Sequence, residues 1–78
     1  MSIMFEVYYR PPEDSNREAK ITERVSRLGG RLSFREGTNS GASVCLTYEF
    51  DRFAEAKQAA DMLRQFGEHV EGPMEYAG

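Results

Sequence analysis

The sequence predicts an α+β domain in which two helices cover one face of a four-stranded antiparallel sheet. Two observations lead there. Stretches that alternate apolar and polar residues with period two are interrupted twice by stretches with apolar residues at helical spacing, giving the order β-α-β-β-α-β. The chain also echoes itself: REAKITERVSRLGGRLSF, from Arg17, aligns with AEAKQAADMLRQFGEHVE, from Ala54. Glu18-Ala19-Lys20 falls on Glu55-Ala56-Lys57, Arg27 on Arg64 and Gly30 on Gly67. Each half therefore reads as a strand, a helix ending in glycine, and a returning strand.

The first strand is SIMFEVYYR, 2–10, with Ile3, Phe5, Val7 and Tyr9 on one face and Met4, Glu6, Tyr8 and Arg10 on the other. Pro11 and Pro12 end it, because proline has no N–H for a ladder. Ser15 followed three residues later by Glu18 reads as a capping box, opening a helix over about 15–28. Its apolar stripe is Ile21, Val25 and Leu28, and Gly29-Gly30 provide the stop. RLSFRE, 31–36, is the second strand, with Leu32 and Phe34 facing one way and Arg31, Ser33 and Arg35 the other. GTNSG, 37–41, reads as the turn of a hairpin into ASVCLTYEF, 42–50. Asp51 is the expected cap of a second helix over about 52–66, whose stripe includes Phe53, Ala56, Ala59, Ala60, Leu63 and Phe66. Gly67 ends it, and EHVEGPMEY, 68–76, is a weaker last strand.

This arrangement resembles the ferredoxin-like split βαβ fold over nearly the whole chain, which implies strand order 4-1-3-2. The residues fit that order. IMFEVYY and SVCLTYEF are apolar enough for central strands, whereas RLSFRE and EHVEGPMEY carry the charges and the proline that suit edges.

Residues 1–78 are expected to form a single small domain, since 78 residues leave no room for a second core. A chain this short buries only about 60–65% of its unfolded surface, and self-association is one way to gain stability. Ten Lys and Arg against thirteen Asp and Glu give a net charge of −3, which speaks against nucleic acid as a partner. The lone Cys45 allows no intramolecular disulfide and suggests a reducing, cytoplasmic setting. The N-terminal segment lacks the basic flank of a signal peptide, and no apolar run is long enough to predict a membrane span.

The sequence offers little for catalysis, and no enzyme activity is expected. His69 has no second histidine and Cys45 no second cysteine, so no metal site and no cofactor are expected. GTNSG lacks the lysine and following helix of a phosphate loop. Ferredoxin-like families with assigned chemistry carry marks missing here. Acylphosphatases hold phosphate in a glycine-rich loop after the first strand, where this chain has RPPEDSNREA. RNA-recognition domains place aromatics on the open face of the first and third strands, where this chain has Tyr8 but also Ser43, Cys45, Thr47 and Glu49. ACT-type regulatory domains carry glycine after the first strand, where this chain has prolines. Heavy-metal-binding domains need a Cys-x-x-Cys that this chain does not contain.

The face opposite the helices is the expected site. It should carry Glu71 and Glu75 on one edge with Glu6 beside them, Arg31 and Arg35 on the other edge, and Tyr8, Met4, Cys45 and Thr47 between. An acidic edge facing a basic edge suits a homodimer built by laying sheet on sheet. The leading expectation is therefore a non-catalytic interaction or regulatory module pairing with itself or with another protein. The alternative is a ligand-binding domain or small enzyme using Tyr8, Arg10, Arg31 and His69.

Overall fold

A computed structural model describes residues 2–38 and 43–76. The chain forms β1 (Ser2–Tyr9), α1 (Ser15–Arg27), β2 (Arg31–Glu36), β3 (Val44–Phe50), α2 (Phe53–Gln65) and β4 (His69–Tyr76). The sheet order is β2-β3-β1-β4, and every neighbouring pair is antiparallel. With both helices on one face, this is the ferredoxin-like α+β fold, in the expected strand order.

Burial follows the period-two pattern of the central strands. Ile3, Phe5, Val7 and Tyr9 of β1 and Val44, Leu46, Tyr48 and Phe50 of β3 are buried against Ile21 and Val25 of α1 and Ala56, Ala59, Ala60 and Leu63 of α2. The alanines of α2 keep that helix close to the sheet. Gly30, after α1, is buried where a side chain would not fit, since a Cβ there would lie 2.4 Å from the Phe50 ring and 2.5 Å from Val25. Of the GTNSG turn, only Gly37 and Thr38 lie among the described residues, as does Ser43 before β3.

Both helix caps differ from expectation. Asp14, one residue before Ser15, caps α1 by accepting the Arg17 N–H at 3.0 Å. Glu18 does not reach back to form a capping box. It is drawn instead to Arg35, at 2.7 Å and 2.9 Å, and accepts the Tyr9 hydroxyl. At α2 the cap residue is Arg52, with no side-chain bond, because Asp51 faces Arg31 at 3.4 Å instead.

The edge strands depart most from simple alternation. On β2 the register shifts between Leu32 and Phe34, leaving Ser33 as an extra residue. Leu32 pairs with core-facing Tyr48, but Phe34 pairs with Thr47 on the opposite face, and Arg35 pairs with buried Leu46. On β4 the shift lies between Glu71 and Met74, where Gly72 and Pro73 together oppose Phe5. Gly72 has φ +109° and sits so near β1 that a Cβ would fall 3.1 Å from the Met4 carbonyl oxygen, so glycine is required there. Arg64 of α2 reaches over this segment and donates to the carbonyls of Val70 at 3.0 Å and Gly72 at 2.8 Å.

Candidate interaction surface on the open sheet

Residues paired across neighbouring strands share a face, so the register sorts the uncovered face into rows running across the sheet. In the strand order β2, β3, β1, β4, one row is Arg31, Glu49, Met4 and Met74. The next is Phe34, Thr47, Glu6 and Glu71, and the third is Glu36, Cys45, Tyr8 and His69. Ser2 and Tyr76 pair beyond the first row.

Several expected site residues are where the sequence placed them. Tyr8, Arg31 and Glu71 lie on this face, with Met4, Glu6, Cys45 and Thr47. Two do not. The extra residue on β2 turns Arg35 to the helix side, where its guanidinium holds Glu13 at 2.7 Å as well as Glu18. The extra residue on β4 turns Glu75 to the helix side as well, opposite buried Ile3. The expected contrast between an acidic and a basic edge is therefore lost. Arg31 remains, and it is engaged by Glu49 at 3.3 Å and Asp51 at 3.4 Å.

The same two shifts bring apolar side chains onto the open face. Phe34 is 60% exposed, Met74 54% and Tyr76 38%. The sequence reading missed all three as surface residues of this face. A signal existed for β4, because a Gly-Pro pair inside a strand marks a bulge. None existed for β2, where Ser33 reads as an ordinary strand residue.

Between these side chains the face is polar and internally satisfied. Tyr8 donates to Glu6 at 3.1 Å, Ser2 donates to Glu49, and His69 lies 3.1 Å from Glu71. Burial, then the bond to Glu6, raises the Tyr8 phenol well above its ordinary pKa. Burial likewise pushes the Cys45 thiol up, so it is not poised as a nucleophile. Among the described residues, no three His, Cys, Asp or Glu side chains are grouped to hold a metal ion, and no helix is long and apolar enough to cross a membrane.

At one end of the face Tyr8, Tyr9, Arg10, Ser43 and His69 line a shallow cavity of about 290 Å³. Tyr8, Arg10 and His69 of the alternative site thus converge, whereas Arg31 lies two rows away. The Tyr8 and His69 rings are 6.0 Å apart and tilted by 57°.

No protein family matches this chain, and no curated protein or solved structure matches it either.

Proposed function

We propose that this protein is a non-catalytic interaction module that pairs with a second copy of itself through the open face of its sheet. The supporting observation is the exposure of Phe34, Met74 and Tyr76 on the one face that no helix covers, with half-buried Met4 and Tyr8 between them. Three of the six exposed large apolar side chains among the described residues lie at the two edges of this face, the others being Leu32, Phe53 and Phe66; apolar side chains with polar groups among them suit a protein interface. Nucleic acid is disfavoured as a partner, because Glu6, Glu36, Glu49 and Glu71 outnumber Arg31 there. A cytoplasmic setting accords with the single free thiol.

Light scattering after gel filtration should give twice the 8.9 kDa chain mass. Because Arg35 and Glu75 are turned away while Glu6, Glu36, Glu49 and Glu71 outnumber Arg31 on this face, high salt should not dissociate the dimer. Phe34→Glu with Met74→Glu should yield a folded monomer. A double variant that stays dimeric would remove this reading.

The cavity supports a second reading, in which Arg10, Ser43 and His69 bind a small carboxylate or phosphate beside the Tyr8 ring. Arg10 makes no ion pair among the described residues, so its guanidinium can serve a ligand. Titrating phosphate and acetate by NMR should then shift the resonances of Tyr8, Arg10, Ser43 and His69, with loss of the effect in Arg10→Ala. Absence of any shift at millimolar anion would end this reading. The dimer covers Tyr8 and His69, so the two readings compete.

A further inference from the structure

We infer that the two copies are related by a two-fold axis running parallel to the strands, between β1 and β3, so that β2 of one copy lies over β4 of the other. This rests on the self-pairing proposed above and adds its geometry, partner residue by partner residue.

A four-stranded sheet with one bare face can pair with its copy edge to edge or face to face. The first joins edge to edge and extends the ladder. Both edges are bulged, β4 contains Pro73, and Arg64 already occupies the carbonyls of Val70 and Gly72. Such features hinder strand addition, so the copies meet face to face.

Face to face with the strands of the two sheets aligned, the axis lies either across the strands or along them. An axis across the strands at the middle row sets each strand over its own copy. Glu6 then faces Glu6 of the other copy, and Glu71 faces Glu71. Like charges brought together in a desolvated interface are strongly unfavourable. An axis along the strands keeps each row level and reverses its order. Glu49 then meets Met4, Glu6 meets Thr47, and Glu71 meets Phe34. In the third row Glu36 meets His69, and Cys45 meets Tyr8. No carboxylate in the three rows faces another, and Arg31 lies over apolar Met74. Stacked sheets cross at about 30°, which shifts the matching at the outer strands by less than one row.

The arrangement makes a specific demand: β2 and β4 thiols must link between copies, and β4 thiols must not link to each other. Three variants with one added thiol each, Glu36→Cys, His69→Cys and Glu71→Cys, are made on a Cys45→Ser background and treated with a short bis-maleimide. These positions are polar, so apolar contact is largely kept, and circular dichroism checks each fold. A mixture of Glu36→Cys and His69→Cys should give a covalent dimer on a denaturing gel, while each variant alone gives none. Glu71→Cys linking to itself would overturn this axis in favour of the one across the strands, leaving self-pairing intact. A dimer in light scattering with no linkage from any variant would overturn this axis. A wild-type monomer would overturn the self-pairing itself, and the axis with it.

Discussion

Arg35 shows how much one misplaced strand position changes. On the open face it would be a surface cation available to a partner. On the helix side it joins three segments, bonding Glu18 of α1 and Glu13 of the β1–α1 connection, while Glu13 also accepts the Thr38 N–H and hydroxyl after β2. The Arg35 guanidinium, then the Thr38 groups, hold Glu13 down at about 2, and Arg35 also lowers Glu18. Both carboxyls bind protons less readily in the folded state than in the unfolded one. Their stabilisation is therefore complete above the ordinary carboxylate range and is lost as pH falls from about 4.5 toward about 2. We predict that the urea midpoint drops across this window, and that Arg35→Gln lowers it at neutral pH and flattens the acid dependence. An unchanged acid slope in Arg35→Gln would show that other carboxylates carry it. Residues on the central strands were legible, because strict alternation placed Tyr8 and Glu6 correctly. Arg35 was not, because its face depends on an extra residue that no local pattern marks.

At the scale of elements, strands and helices were legible, and their exact ends less so. Asp14 and Ser15 are both good caps, and the Ser15–Glu18 spacing imitated a capping box. The competition was decided by tertiary partners, since Glu18 is taken by Arg35 and Tyr9. Asp51 was likewise diverted to Arg31, leaving α2 with an arginine at its cap position and no side-chain bond there. The two helices therefore respond to mutation in opposite senses. Asp14→Ala should cost about 1 kcal/mol, and Arg52→Ser should gain about 0.5–1 kcal/mol, both read from denaturant melts. If Arg52→Ser brings no gain, the α2 N-terminus already has its donors satisfied by other means.

For the whole molecule, the sheet order and core followed from period and composition, but the character of the open face did not. Two single-residue shifts, one on each edge strand, exchange Arg35 for Phe34 and Glu75 for Met74 and Tyr76. A face expected to set its register through opposed charged edges presents exposed apolar side chains at both edges instead. Association measured against ionic strength separates these pictures. The proposed dimer should hold or tighten as salt rises, because each face carries more glutamates than arginines, where several opposed charge pairs would weaken steeply.

Arg64 has a role that stability measurements would understate. Its guanidinium occupies the carbonyls of Val70 and Gly72 on an outermost strand. Removing it loses two hydrogen bonds at the surface, one part-buried and one exposed, a small change in a melt, yet frees acceptors that an incoming chain can use. Arg64→Ala should therefore resemble the parent in a thermal scan but turn cloudy on prolonged shaking, with thioflavin-positive fibrils after a shorter lag. In that sense a helix side chain acts as a guard against amyloid, and its loss would show in shelf life before it showed in the fold.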